Sequence, residues 1–265
     1  MSALLFEKSG AVVTLTINRP ESRNPLGEEG DGEVFAEAAA KINSDREVRC
    51  AILTGAGQSF SAGGNVKAMR ERSGAFAGAG VHIRERYRHG IHKIVRSIWG
   101  IEVPLIAAVN GHAIGLGNDV ACLADIRLAA ENSIFGATFL KIGLVPGDGG
   151  SWILPRVIGY QRAAELVFTA DTIDAATALN WGLVSKVVPA ASLMDEARAL
   201  ASRICRQPPD VLRMTKKLMR EGQNVSFDTI MEMSAAYQAL AHLTEDHKEA
   251  VSAFFEKRAP DYKGR

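Results

Sequence analysis

Two aspartates set among glycines are the residues of this chain whose types and spacing suggest chemistry. Asp119 follows a turn punctuated by Gly111, Gly115 and Gly117, and Asp148 sits inside a second glycine cluster, GLVPGDGG. The first turn joins an apolar run, Val103 to Val109, to a short apolar segment, Val120 to Ala124, the pattern of a strand delivering the chain to a helix. The first amides of such a helix have no partner within it and carry the positive end of its dipole. No P-loop lysine follows these glycines, which argues against a nucleotide phosphate and for an oxyanion that develops during a reaction. Two carboxyl groups beside such a pocket can divide acid–base work. One, ionised, takes a proton; the other, its pKa raised by burial or by its neighbour, donates one.

The elements that must position these groups follow from periodicity. Leu4 to Lys8 and Ala11 to Asn18 flank Ser9-Gly10, a two-residue hairpin signal. An alanine-rich helix, about Glu28 to Ile42, comes next, then a buried strand, Val48 to Leu53. Phe60 to Asn65 is a run of small residues leading into a helix that carries Lys67, and its Gly63-Gly64 pair lets main chain approach a ligand closely. The SGAFAGAG stretch, Ser73 to Gly80, has the composition of a mobile loop; substrate access and a plain surface role both suit it. Val81 to Trp99 reads as a charged-faced helix, Pro104 to Val109 as a strand, and Ile126 to Ala130 and Ser133 to Phe135 as two more. Helices follow over Ser151 to Ile158 and Gln161 to Phe168, then an extended segment from Trp181 to Val188. From Ser192 to Arg258 the pattern is helix after helix, with Thr244 an expected N-cap. The division is thus a mixed α/β core over 1–191 and a helical region over 192–265, the latter suited to a cap or a subunit contact.

Composition narrows the function. The formal net charge is +1 with no basic block, so no electrostatic footprint for nucleic acid exists. No apolar run approaches a membrane span and no signal h-region precedes Glu7, which leads us to expect a cytoplasmic protein. Cys50, Cys122 and Cys205 are scattered among apolar neighbours as free thiols would be, and the histidines form no paired ligand motif, so no metal is expected. No G-x-S-x-G elbow is present, which disfavours a serine hydrolase.

Six stations in register, INRPESRNPL, FSAGGNVK, VPLIAAVNGHAIGLGND, IGLVPGDGG with LPRVIG, WGLVSKVVP and SAFFEKRAPDY, resemble the crotonase superfamily, the enoyl-CoA hydratase/isomerase family, over essentially the whole chain. The resemblance implies an α/β spiral of repeated β-β-α units with a C-terminal helical trimerisation region, forming a homotrimer or a hexamer of two trimers. It implies an acyl-CoA thioester substrate, coenzyme A being part of that substrate and no separate cofactor being needed. On matching positions the amides of Gly64 and Leu116 would hold the thioester oxygen as an enolate, and each follows a glycine at the start of an expected helix. Where typical hydratases carry two glutamates this chain has Asp119 and Phe139, and Asp148 lies one residue beyond the position, here Gly147, at which some isomerases of the family place an aspartate. Arg23, Lys67 and Lys257 match positions along the path of the CoA phosphates, Ala62 a position near the adenine, and Tyr262 one that reaches the same region from a neighbouring subunit; Phe139 would line the acyl pocket, and His112 would either contact substrate or be a satisfied buried histidine. Hydration of a 2-enoyl thioester, with Asp119 and Asp148 sharing the proton transfers, is the favoured reaction. Double-bond isomerisation, hydrolysis and thioester binding without turnover are the alternatives.

Overall fold

The computed structural model describes residues 2–265. The hairpin forms as its turn requires: β1 (Leu4–Ser9) runs antiparallel to β2 (Val12–Ile17), with Leu4 opposite Ile17. After α1 (Asp31–Ser44) the chain begins to wind. β3 (Cys50–Gly55) passes to β4 (Ser59–Ser61), then to α2 (Val66–Glu71), α3 (Gly80–Arg86) and α4 (His92–Trp99), the last two joined by a π turn over Tyr87–Ile91. β5 (Leu105–Val109) passes to β6 (His112–Ile114) and α5 (Leu116–Cys122). β7 (Ile126–Ala130) passes to β8 (Ile134–Gly136) and on to α6 (Gly150–Ile158) and α7 (Tyr160–Thr169). β9 (Ile173–Asp174), α8 (Ala175–Trp181) and β10 (Lys186–Val188) complete the winding.

From β3 onward, each turn gives one strand to a six-stranded sheet, ordered β1-β2-β3-β5-β7-β10, and one to a four-stranded sheet, ordered β4-β6-β8-β9. This is the expected spiral of β-β-α units. β2, β3, β5, β7 and β10 pair in parallel, and parallel strands need both faces covered. Alternation along β3 and β5 supplies two cores: Ala51, Leu53, Leu105, Ala107 and Val109 face one, while Cys50, Ile52, Ile106 and Ala108 face the other. The second core is closed by Leu193, Ala197 and Ala201 of α9 (Leu193–Ile204), so this first helix beyond residue 191 packs as part of the sheet.

Two details differ from the sequence reading. The turn at Gly111 is not a simple passage from strand to helix, because β6 intervenes; and Trp181 ends α8, which leaves only Lys186–Val188 as strand.

The remaining helices are α10 (Pro209–Glu221), α11 (Phe227–His242) and α12 (Glu245–Glu256), the last capped by Thr244, whose hydroxyl accepts the His247 amide. α10 is tied to the core by cations. The Arg213 guanidinium donates to the carbonyls of Ile42 and Asn43 at the end of α1 and of Asp45 and Val48 in the turn that follows, and Lys216 Nζ lies 2.7 Å from both the Val103 carbonyl and Asp125. Burial lowers the Lys216 pKa to about 8. Among the described residues none in α11 is buried, although Phe227, Met231 and Leu240 are apolar and exposed.

Candidate active site

Two backbone segments from successive turns of the spiral meet at one point. In the first, Gly63 takes φ +86° and forms a bridge to Pro25; its carbonyl accepts the Leu26 amide at 2.9 Å, and the Ala62 amide donates to the Arg23 carbonyl at 2.8 Å. The segment is clamped from one side, and the Gly64 amide is left without an acceptor among the described residues. In the second, Gly115 takes φ 54° and ψ −120°, a conformation that favours glycine, and hands the chain from β6 to α5. Leu116 is the first residue of α5, so its amide has no helical partner and finds none elsewhere among the described residues. Gly63 is what lets the segments touch. A Cβ there would stand 2.5 Å from the Ile114 carbonyl oxygen and 3.4 Å from the Leu116 nitrogen.

Gly64 and Leu116 both line a chamber of about 60 Å³ whose other walls include Ala62, Ile91, Phe139 and Asp148. Val66, Met69, Phe76, Tyr87, Ile142 and Leu144 are shared with an apolar extension of about 470 Å³. The Phe76 and Tyr87 rings meet edge to face at 6.5 Å, and Phe139 packs beneath Gly115. Two free main-chain donors at one end of an apolar cavity suit an acyl group whose carbonyl oxygen becomes negative. Each such donor is worth about 3 to 4 kcal/mol when it meets charge that exists only in the transition state.

The acids divide by position. Asp148 lies on the chamber wall, largely buried, and its carboxylate makes no hydrogen bond among the described residues; burial raises its pKa to about 6. Asp119, in the first turn of α5, is 1% exposed, and both its oxygens are sealed and unpartnered. It does not line the chamber. Burial first, and the charge of Asp148 second, raise its pKa to about 8, while the nearby Asn118 side chain and Gly150 amide oppose the shift without forming hydrogen bonds of good geometry. Between these two values Asp148 is ionised and Asp119 is neutral.

Among the residues singled out from sequence, Gly64, Leu116, Ala62, Phe139 and Asp148 come together at the chamber, with Asp119 behind it. Arg23 and Lys67 are exposed with no ion pair among the described residues, Lys67 following Val66 of the chamber wall. His112 must be corrected: it lies on β6 with its side chain exposed, because β6 alternates and turns Ala113 inward in its place. Lys257 and Tyr262 also stay away from their own chain's chamber. Lys257 caps α12, and the Tyr262 carbonyl accepts from Arg49 at 2.7 Å. Sequence reasoning passed over Phe76 and Tyr87, hidden in a stretch read as loop and charged helix, and Asn118, whose buried amide has neither polar atom satisfied. The one signal for Asn118 was a polar side chain in a helix turn that has no exposed face. Among the described residues no group of three or more potential metal ligands gathers, and no helix is long and apolar enough to cross a membrane.

Comparison with known proteins accords with this fold. The model of the enoyl-CoA hydratase/isomerase family matches residues 7–265. The chain belongs to that family. It is 35% identical to the 1,2-epoxyphenylacetyl-CoA isomerase of Escherichia coli (strain K12), with all of both chains covered. It is 36% identical to the short-chain-enoyl-CoA hydratase of Clostridium acetobutylicum, covering 97% of this chain and 96% of that one. The crystal structure of an enoyl-CoA hydratase from Bacillus anthracis superposes with a TM-score of 0.91 at 32% identity over the whole of both chains. Family membership therefore makes this an acyl-CoA enzyme, and relatives of equal similarity carry out different reactions.

Proposed function

We propose that the chain binds an enoyl-CoA thioester with its carbonyl oxygen between the Gly64 and Leu116 amides and moves a proton with Asp148, shifting the double bond. The observation that carries this reading is that Asp148 is the one carboxylate on the chamber wall among the described residues, Phe139 and Tyr87 giving that wall no second one. The ionised Asp148 removes a proton from C2 of a 3-enoyl thioester, the electron pair passes into a dienolate held by the two amides, and the same carboxyl returns the proton at C4. A carboxyl with its pKa near 6 is well matched to both halves of that exchange.

Hydration of a 2-enoyl thioester is the second reading. It is favoured by the separation of the two pKa values, which keeps Asp148 ionised as a base and Asp119 protonated, and it requires the sealed Asp119 to reach the chamber in order to donate. Incubating 2-enoyl and 3-enoyl CoA thioesters with the protein in deuterated water and weighing the products separates the two. Deuterium gain with a moved double bond and no added mass of water supports proton transfer by Asp148; gain of one water supports hydration. Coenzyme A enters as part of the substrate, with Arg23 and Lys67 as candidates for its phosphates. We also propose that the exposed apolar residues of α11 and α12, Phe227, Met231, Phe254 and Phe255 among them, are covered by further copies of the chain in a homotrimer or hexamer. Lys257 and Tyr262 would then serve a neighbouring chamber.

A further inference from the structure

Nothing in the chamber holds the Asp148 carboxylate, so its position depends on the main chain of residues 147–149. That main chain lies along one face of the helix formed by α3, the π turn and α4. His92 Nε2 is 2.9 Å from the Gly147 carbonyl oxygen, and a carbonyl can only accept, so Nε2 carries the hydrogen. Beside it, Tyr87 Cε1 would stand 3.6 Å from a Cβ on Gly147, and Val95 Cγ1 3.6 Å from one on Gly149. The loop is thus held by a hydrogen bond at one neighbour of Asp148, with the Tyr87 and Val95 side chains lying over the bare faces of both neighbouring glycines.

This face exists because of the π turn. Residues advance by about 100° each in an α-helix, so two residues five apart diverge by about 140°. Tyr87 and His92 are five apart, yet their rings meet edge to face with centroids at 6.0 Å. The His92 amide donates to the Tyr87 carbonyl, the five-residue bond that defines a π turn and brings such a pair onto one side.

We propose that His92 is the positioning residue for Asp148, and that the π turn Tyr87–Ile91 exists to present His92 and Tyr87 together to the loop that carries it. This rests on the reading of Asp148 as the proton-transfer group. The test is steady-state kinetics of the full-length protein and its His92→Ala, His92→Gln and Asp148→Asn variants on the 2-enoyl and 3-enoyl CoA thioesters, with kcat followed against pH. Hydrogen exchange of the Trp152 and Ile153 amides, which both donate to the Gly149 carbonyl at 3.0 Å, is measured alongside. His92→Ala should lower kcat by roughly ten- to a hundredfold with KM changed by less than about twofold, since a small displacement of a reacting group has this cost. Its exchange at Trp152 and Ile153 should quicken, and the acid limb of its profile should move to lower pH as Asp148, whose charge also acts on Tyr87 and Asp119, gains water. His92→Gln, which keeps an N–H within reach, should recover most of the rate. A His92→Ala variant with near wild-type kcat and an unmoved profile, while Asp148→Asn is inactive, would overturn the role of His92 alone. So would a loss that Gln does not relieve and that follows only a lowered Tm. Turnover in Asp148→Asn would overturn the assignment of Asp148 and this inference with it.

Discussion

Replacing Asp119 with asparagine should leave the protein more stable than the wild type at pH 8 and flatten its pH dependence. The folded-state pKa of about 8 stands against a value near 3.9 for an unfolded aspartate. Asp119 therefore binds its proton more tightly when folded, and the stability this contributes is full below pH ~4 and drains away as pH rises through about 8. At roughly 1.4 kcal/mol per pH unit the whole window amounts to about 5 to 6 kcal/mol, an upper bound. Relaxation and water entry around a buried charge reduce it, and about 2 kcal/mol is the expectation. In a chain of this size that corresponds to about 4 to 8 °C in Tm. Asparagine has the same shape and no charge to bury, and the neutral carboxyl it replaces has no hydrogen-bond partner to lose. The assay is thermal unfolding from pH 5 to 9 for both proteins at one protein concentration, because assembly would make Tm depend on it. Wild-type and variant curves of equal slope would refute the buried, neutral Asp119, as would a variant less stable throughout. Turnover in the same variant separates the two functional readings: near wild-type activity is expected if Asp148 works alone, and collapse if Asp119 donates a proton.

Asp148→Asn should abolish deuterium incorporation into substrate while leaving affinity for a saturated acyl-CoA, measured by calorimetry, within about threefold. In the wild type, kcat/KM should fall on the acid side with a midpoint near the Asp148 pKa of about 6, since the base of the free protein must be ionised. Gly150→Ala should destabilise the protein by about 1 to 3 kcal/mol in denaturant melts, because the new Cβ would stand 2.5 Å from Asp119 Oδ1, and nearer still to Oδ2, where real contacts exceed 3.0 Å. The better helix propensity of alanine returns at most about 1 kcal/mol, so a net gain in stability would contradict the close seating of Asp119 over Gly150.

The fold was legible wherever several residues repeat one signal. Ser9-Gly10 between alternating runs gave the hairpin, the apolar runs within β3 and β5 gave two buried strands, and Thr244 gave a helix start. It was not legible where three residues make an element. His112-Ala113-Ile114 is too short to show a period, so β6 passed for part of a turn and His112 for a pocket residue. At the site, main-chain donors were readable because glycines mark them. The glycine clusters singled out Asp119 and Asp148 alike, and only the shape of the chamber divides a wall residue from one sealed behind it. The π turn left no trace in composition, and the contact that its His92 makes lies on a loop more than fifty residues away.

The meeting of Gly63 with Ile114 and Leu116 also bears on how the protein acquires activity as it folds. The two amides belong to different turns of the spiral and come together only once β4 and β6 have paired, a contact between segments distant in the chain. Closing such long loops is slow, and no local helix or hairpin can assemble the pair in advance. In the role proposed for the two amides, affinity for the thioester oxygen should therefore arrive late in refolding, after far-ultraviolet helix signal and together with burial of the sheets. A partially wound chain would hold nearly native secondary structure and no trace of its catalytic power.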